Sequence, residues 1–580
     1  MRAFILALLL LPAPALAKTA VPPPEYAYVQ GRLAAADQQL HTAASLFATI
    51  PAEDSDRRLK HRQFDIALLD GEKKAVVRLA EDIIAAGPQE GDSGLAVAIA
   101  NSLVSLARLA VAAGDRDWRT YDRVLAGYAE PQQRWGEISA VLRQILGAWG
   151  LAADRDYDAA LALLGPAETA AAHSYLAEHR AHILALAKRW PEAATAYSEM
   201  LATEGADIPR LRIAAAAAAL EAGRDDPQWR ERGIALIAGG PAHDPLLDIA
   251  RARIANDPDM RGRKLGSVIT RPEQGVAQLL LRVSIDLGRG RAVPPALGFA
   301  RLATFADPDL PEAWFVSSGL LMRLDRAELA LAALEPAQKM DAPWGRMARV
   351  QRAEIFAAQE KWDEARAALL AEAQRPDAEA GDWTRLADVE RRAGNFPEAA
   401  EYFSRALALA GDSDAGMKGQ IYFLRGSAWE QAGQWEKAEP DLRQALALDP
   451  DNPIYLNYLG YSLLERGIRL DEGRELVARA YAGAPENGAI IDSMGWAAYI
   501  TGDYATAVQL LEKARAAEPA DPTVSDHLGD AYWRTGRRIE ARHAWNAARA
   551  LNPSEKQAAA LDVKLDYGLD VAENLAGKAQ

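Results

Sequence analysis

Apolar residues recur at spacings of three and four along most of this chain, with polar residues between them, as in residues 63–69 and 76–84. This spacing places the apolar side chains on one face of a helix, so it predicts amphipathic α-helices. Turn signals separate the predicted helices, for example at Ala113-Gly114-Asp115 and at Gly239-Gly240-Pro241. No stretch shows a convincing strand alternation. The pattern therefore predicts an all-α fold built from helix hairpins.

A set of small and aromatic residues near the C-terminus is typical of two closely packed antiparallel helices. Small residues let the helices approach, aromatic residues fill the wedge between neighbouring pairs, and a proline ends the second helix. The residues are Leu528, Gly529, Tyr532, Ala541, Trp545, Ala548 and Pro553. This set resembles the tetratricopeptide repeat (TPR), with one repeat running over residues 522–555.

The resemblance continues upstream at the family period of about 34 residues. One period earlier, the same slots hold Gly495, Ala507, Leu511, Ala514 and Pro519. About seven repeats covering residues 311–555 are predicted in this way. They begin at Pro311, Arg346, Ala380, Gly419, Pro453, Gly488 and Pro522. The resemblance implies a right-handed superhelix, or α-solenoid, of stacked hairpins whose concave face is the usual binding surface.

The rest of the chain predicts further helical parts on either side of this array. Residues 18–250 show a degraded hairpin pattern, so we expect a divergent TPR-like solenoid there. Residues 251–310, which include the turn-forming Asn256-Asp257-Pro258-Asp259, predict a hinge and connecting helices. Residues 556–580 predict a C-terminal capping helix and tail, because a solenoid needs a polar cap at its end.

Residues 1–17 have the form of a cleavable signal peptide. Arg2 precedes an apolar run over residues 3–11, and Ala15-Leu16-Ala17 is a small-residue cleavage site before Lys18. The run is far shorter than the roughly 20 apolar residues that a membrane span needs, and no later segment reaches that length without charge. We therefore expect an exported, periplasmic protein without a membrane span.

Composition narrows the classes of function. The 580 residues carry a formal net charge of −15, which disfavours nucleic acid as a partner because phosphate binding needs a basic surface. The chain has no cysteine, which excludes disulfides, thiolate metal sites, a cysteine nucleophile and a cysteine-linked lipid anchor. Half of the residues are hydrophobic, as expected for a chain with a large buried core.

Few residues suggest catalysis or metal binding. Gly91-Asp92-Ser93-Gly94 matches the tetrapeptide around a serine-protease nucleophile, but it lies between helical stretches and is interpreted as a turn. His179 and His182, with Glu178 beside them, could form part of a metal site, yet no further ligand stands at a suitable spacing. No phosphate-binding or dinucleotide-binding motif occurs. We expect no catalytic residue, no metal and no cofactor.

The TPR resemblance implies which residues line the groove, because the first helix of each repeat faces it. The aromatic residues among them either offer contact area to a ligand or pack within the superhelix and against the C-terminal helix. Several are acidic, which favours an extended or helical ligand with basic and apolar residues. The predicted groove residues are Asn457, Tyr461, Asp492, Trp496, Tyr499, Asp526, Asp530, Trp533 and Arg534, with Glu465 beside them.

Three stretches of the array, at 459–463, 492–496 and 526–530, resemble large bacterial envelope TPR proteins. These are similar to outer-membrane lipoprotein adaptors that present substrates to carboxy-terminal processing proteases. The resemblance implies a non-catalytic adaptor whose partners are protein segments, an envelope protease and its substrates, although the missing lipidated cysteine departs from those adaptors. Two alternatives stay open: a scaffold for exopolysaccharide export, and an envelope hydrolase using His179 or His182.

Overall fold

The computed structural model describes residues 24–36, 40–50, 57–85, 95–127, 136–165, 169–202, 208–224, 226–241, 244–290, 292–340, 343–411 and 415–578. Within these ranges the chain forms 31 α-helices, one short 3₁₀ helix and no β-strand. The all-α fold expected from the hydrophobic pattern is confirmed. The predicted signal peptide, residues 1–17, and the Gly91-Asp92-Ser93-Gly94 motif lie outside the described residues.

The helices follow one another with short connections. The first fifteen are α1 Pro24–Ala36, α2 Leu40–Ala48, α3 Arg57–Asp70, α4 Lys73–Ala85, α5 Leu95–Gly114, α6 Trp118–Gly127, α7 Gly136–Ala153, α8 Tyr157–Leu163, α9 Ala170–Leu186, α10 Trp190–Leu201, α11 Pro209–Ala222, α12 Pro227–Ala238, α13 Pro245–Asn256, α14 Pro272–Arg289 and α15 Val293–Ala306. The 3₁₀ helix, Gly262–Lys264, lies between α13 and α14.

The remaining sixteen helices include the predicted repeats and the C-terminal cap. They are α16 Pro311–Arg323, α17 Ala327–Gln338, α18 Trp344–Ala358, α19 Trp362–Ala373, α20 Ala380–Arg392, α21 Phe396–Leu409, α22 Ala415–Gln431, α23 Trp435–Leu448, α24 Pro453–Glu465, α25 Leu470–Gly483, α26 Gly488–Ile500, α27 Tyr504–Ala517, α28 Pro522–Arg534, α29 Arg538–Ala550, α30 Glu555–Tyr567 and α31 Leu569–Lys578.

The chain divides into two compact units, Met1–Ile355 and Phe356–Gln580. The division differs from the expected hinge at residues 251–310, because α14 and α15 from that stretch are part of the first unit's core. In α14, a Cβ on Gly275 would lie 2.0 Å from the Trp149 ring of α7. In α15, Arg301 donates to the Leu69 carbonyl of α3 at 3.0 Å. Both helices are therefore packed in the core against helices that lie far away in the sequence.

Helix hairpins form the second unit, and sequence features fix where its helices begin. Side chains of Asn452, Asn487 and Asp521 accept backbone N–H groups at the starts of α24, α26 and α28. Such caps satisfy donors that have no partner inside the helix, and each stabilises it by about 1 kcal/mol. Gly502 and Gly536 turn the chain between the paired helices at φ +84° and +81°, a region that glycine enters without strain.

Small residues allow the two helices of a repeat to touch. A Cβ on Gly495 of α26 would lie 2.8 Å from Leu511 of α27, and one on Gly529 of α28 would lie 2.3 Å from Trp545 of α29. Trp545 is fully buried. These contacts match the roles that the repeat pattern assigns to the same residues.

The C-terminal cap is longer than expected. The predicted capping helix is α30, and part of the predicted tail forms a second helix, α31. Gly568 separates the two at φ +86°, and Leu561 of α30 and Leu569 of α31 bury their side chains in one cluster with Trp545. Across the described residues, no helix combines the length and apolar character that crossing a bilayer requires.

Candidate protein-binding groove

The predicted groove residues lie on α24, α26 and α28, the first helices of three successive repeats. The neighbouring first helices contact one another, α24 with α26 and α26 with α28. Their side chains therefore form one continuous surface within the second unit.

A column of aromatic rings crosses this surface. Trp496 stacks on His527 with ring centroids 4.0 Å apart and on Tyr499 with centroids 4.6 Å apart. The Tyr461 ring centroid lies 6.3 Å from that of His527. The Trp496 Nε1–H donates to the Glu465 carboxylate at 2.5 Å. The half-buried rings of Trp496 and Tyr461 and the exposed Glu465 thus form the open part of the groove.

A buried carboxylate anchors His527, one of the rings of this column. Its Nδ1 lies 3.0 Å from Asp492 Oδ2, and both side chains are buried. Burial alone would lower the pKa of His527, but the Asp492 carboxylate raises it above its ordinary value. Asp492 therefore holds the imidazole in place and favours its charged form, and it is not an open contact for a ligand.

Asp526 and Asp530 bind a lysine of the C-terminal cap. Lys564 Nζ of α30 lies 2.7 Å from Asp526 Oδ1 and 2.8 Å from Asp530 Oδ2. Trp545 Nε1 donates to the other Asp530 oxygen at 2.9 Å. Burial alone would lower the pKa of Lys564, but the two carboxylates outweigh this effect, so the pKa lies above its ordinary value. These two acids are engaged by the chain itself.

Trp533 and Arg534 are engaged by the last helix. Trp533 Nε1 and Arg534 Nη1 each donate to the Asp570 carboxylate of α31 at 3.0 Å. Arg534 Nη2 donates to Glu573, which also lies 3.4 Å from the Tyr499 hydroxyl. The structure thus divides the predicted groove into an open part and a part covered by α30 and α31.

Asn457 lies half-buried on α24, one turn before Tyr461. Its amide oxygen is buried and has no hydrogen-bond partner among the described residues. A buried acceptor without a donor is unfavourable, so a donor from a bound segment or a water molecule would stabilise this site.

Sequence reasoning did not identify the central role of His527 or the lysine partner of the two aspartates. A signal for both was present, because Asp530 and Lys564 are 34 residues apart and Asp492 and His527 are 35 apart. Residues separated by one repeat period lie on neighbouring first helices. Opposite charges at that spacing therefore indicate contacts between repeats.

The histidine pair of the first unit lies in its core. His179 accepts the Trp149 indole N–H at 3.1 Å, and His182 Nδ1 lies 2.6 Å from the Tyr197 hydroxyl. Burial holds the pKa of His179 well below its ordinary value and also lowers that of His182. Both rings are therefore neutral packing residues near pH 7.

Glu178, beside the histidines, is a buried carboxylate held by two arginines. Arg210 Nη2 lies 2.7 Å from Glu178 Oε1, and Arg282 Nη1 donates to the other oxygen. Burial alone would raise the pKa of Glu178, but the two guanidinium groups hold it well below its ordinary value. Over the ranges that the structure describes, no cluster of three or more metal-ligating side chains occurs.

Three solved structures align with this chain at low sequence identity and with TM-scores below 0.5. The Cut9–Hcn1 hetero-tetramer of the APC/C has a chain 15% identical to this one, with a TM-score of 0.37, covering 95% of this chain and 97% of that chain. PilW, a type IV pilus biogenesis factor, is 19% identical with a TM-score of 0.28, covering 35% of this chain and 92% of its own. YrrB, a TPR protein with an unusual peptide-binding site, is 16% identical with a TM-score of 0.25, covering 33% and 95%.

Sequence matches identify the repeat type. Residues 380–451 match one family model and residues 423–488 match another, and both models are described as Tetratricopeptide repeat. A TPR repeat-containing protein of Pseudomonas aeruginosa is 40% identical over 91 residues, which make up 16% of this chain and 15% of that relative. The matches support the tetratricopeptide repeat family for this part of the chain. Repeats of this family bind protein partners and are typically non-catalytic scaffolds.

Proposed function

We propose that this protein is a non-catalytic scaffold that binds protein segments on the face formed by α24, α26 and α28. The observation that carries the proposal is the half-buried Trp496 ring, which stacking on His527 and Tyr499 fixes in the open part of the groove together with Tyr461. Large aromatic side chains that are already fixed by stacking supply contact area at small entropic cost, so they contribute strongly to binding.

The charges of the open part favour one kind of ligand. The carboxylates of Asp492, Asp526 and Asp530 have partners within the chain, so their charges are largely compensated. Glu465 is exposed, and its carboxylate accepts hydrogen bonds from the Trp496 indole N–H and from the Tyr461 hydroxyl, both of which are neutral groups. An extended or helical segment fits this part if it places a basic side chain near Glu465 and apolar side chains on the rings of Trp496 and Tyr461.

We further propose that the scaffold acts in the periplasm and presents substrates to an envelope protease. Residues 1–17 support export, because they combine a charged start, an apolar run and a small-residue cleavage site. The resemblance of three repeat stretches to envelope adaptors supports the protease partnership.

Site-specific crosslinking tests both parts of this proposal. A photoreactive amino acid at Trp496 should capture protein segments in envelope extract, whereas the same group at the half-buried Trp435 of α23 should not, because that helix is the second of its repeat. Mass spectrometry should identify a protease and its substrates among the captured proteins. Equal capture at both positions would refute the groove, and capture of partners without any protease would refute the presenting role alone.

A further inference from the structure

The last helix of the chain occupies one end of the groove through its acidic side chains. Asp570 accepts hydrogen bonds from Trp533 and Arg534, and Glu573 pairs with Arg534 and lies near the Tyr499 hydroxyl. The two acids are three residues apart, so they lie on one face of α31. This contact shows which chemistry that end of the groove accepts.

We name Tyr499, Trp533, Arg534 and Arg538 the acid-binding end. The Arg538 guanidinium lies 3.6 Å from the Trp533 ring centroid and 3.7 Å from Asp570 Oδ2, so the end holds two cations beside an aromatic face. Pairing with Glu573 keeps the pKa of Arg534 above its ordinary value. An arginine fork recognises carboxylates with defined geometry, and both arginines stay charged at any physiological pH.

Among its described residues, the helix that occupies this end is held mainly by exposed polar side chains. The Asp570 and Glu573 side chains are 56% and 48% exposed, and solvent-exposed ion pairs contribute little to stability. Among the described side chains of α31, only Leu569 is buried. A helix of ten residues is not stable on its own, and a single residue, Gly568 at φ +86°, joins it to α30. α31 can therefore leave while α30 stays bound through Lys564.

We propose that the acid-binding end receives an acidic helical segment of a partner protein, which presents two carboxylates one turn apart and displaces α31. This inference rests on the proposed function, since it assigns a second kind of ligand to the same groove. The tethered α31 competes at a high local concentration, so the apparent affinity of an external ligand is its intrinsic affinity multiplied by the fraction of molecules in which α31 is undocked. In the complex the partner's segment occupies the acid-binding end, and in the free protein α31 occupies it.

A labelled peptide measures this competition directly. The probe is a fluorescein-labelled peptide with the sequence of residues 566–580, and the protein is the full chain. Replacing Asp570→Asn and Glu573→Gln in the protein keeps the shape of α31 and removes its charges. Fluorescence anisotropy should show about tenfold tighter peptide binding to this variant than to the unchanged protein, as expected if α31 is docked about nine-tenths of the time.

Two further variants locate the binding. Adding Arg534→Gln to the charge-removed variant should abolish the gain. Arg549→Gln is the matched control, because it removes a similar arginine–aspartate pair with Asp562, between α29 and α30, and should leave the affinity unchanged. A peptide with lysine in place of both acids should not bind. Circular dichroism should show the same helix content in all variants.

The outcomes separate this inference from the proposed function. The displacement proposal would be overturned if the unchanged protein and the charge-removed variant bound the peptide equally, or if neither bound it. It would also be overturned if Arg534→Gln left the affinity of the charge-removed variant unchanged. Dimerisation of the unchanged protein through exchange of α31, detected by sedimentation, would make a second copy the occupant and would also overturn it. Crosslinking at Trp496 lies in the open part and does not depend on α31. If that crosslinking succeeds while the peptide fails, only this inference is lost.

Discussion

Replacing Lys564 by methionine should destabilise the end of the repeat array strongly. The ammonium group of Lys564 lies within 2.8 Å of the carboxylates of both Asp526 and Asp530. The three side chains are 12%, 13% and 6% exposed, so water replaces the lost partner poorly. Methionine keeps most of the side-chain volume, which isolates the charge as the cause of the change.

The size of the effect follows from burial. Removing one partner of a buried ion pair leaves an uncompensated charge and costs about 3–5 kcal/mol. Because the lysine and Asp526 retain some solvent contact, we expect a cost of about 3 kcal/mol at pH 7.5, which corresponds to a roughly 100-fold larger equilibrium constant for opening of the helices. The penalty should shrink toward pH 5, because burial already raises the pKa of Asp530 to about 6 and a protonated carboxyl needs no cation.

Hydrogen exchange is the suitable assay, since repeat arrays need not unfold in one step and local protection reports each helix. Protection factors of α28 and α30 should fall about 100-fold at pH 7.5 and much less at pH 5. Adding Asp526→Asn and Asp530→Asn to Lys564→Met should restore most of the protection. Lys556→Met, an exposed lysine of the same helix, is the control and should change nothing. A loss below about tenfold at pH 7.5, or an equal loss at both pH values, would refute the reasoning.

Two other predictions concern buried contacts. The folded-state pKa of His527 lies above its ordinary 6.5, so the stability from the charged pair is present below pH 6.5 and is lost as pH rises through the folded pKa. Asp492→Asn should therefore cost about 2 kcal/mol at pH 6 and about half of that at pH 9 in thermal unfolding, and a constant difference would contradict the pairing. Gly529→Ala should cost about 2–3 kcal/mol, because the new Cβ would lie 2.3 Å from Trp545 Cδ1. Gly319→Ala, with no atom within 4 Å of its Cβ, should instead gain about 0.5–1 kcal/mol in urea unfolding, and equal effects of the two changes would refute the packing argument.

The start of most repeats could be read from the sequence. Helices begin at the predicted starts Pro311, Ala380, Pro453, Gly488 and Pro522. Proline fits the first position of a helix, and small residues mark where two helices must touch, so these starts have local causes. Two repeats begin earlier than predicted, at Trp344 and Ala415, because their first helices are longer than the family pattern.

The arrangement of the first unit could not be read in this way. Arg301 of α15 donates to the carbonyl of Leu69, 232 residues earlier in the chain. Nothing in the local pattern of either helix indicates its partner, because hydrophobic periodicity shows which face is buried but not against what. The segment with turn signals at 256–259 therefore suggested a hinge, whereas the helices after it pack into the core.

For the groove, the sequence predicted which helices carry the lining residues, but not which of the charged side chains are paired within the chain and which are available to a ligand. Asp526 and Asp530 stand where acidic groove residues were expected, yet each is paired with Lys564. A charge on a predicted surface indicates ligand preference only when no partner lies one repeat away. The exposed Glu465, by contrast, receives an indole N–H and keeps its charge available at the surface.

The 34-residue period explains why the cap carries the charges that it does. Asp492 of α26 contacts His527 35 residues later, and Asp530 of α28 contacts Lys564 34 residues later, so each of these two helices presents an acid to a base about one repeat further on. The last repeat has no successor, and without one its acids would be buried unpaired. α30 stands in the place of the missing first helix and supplies Lys564, while α31 supplies Asp570 and Glu573 to the unpaired cations. The cap therefore ends the array by charge as well as by shape, and a partner that displaces α31 must bring carboxylates of its own.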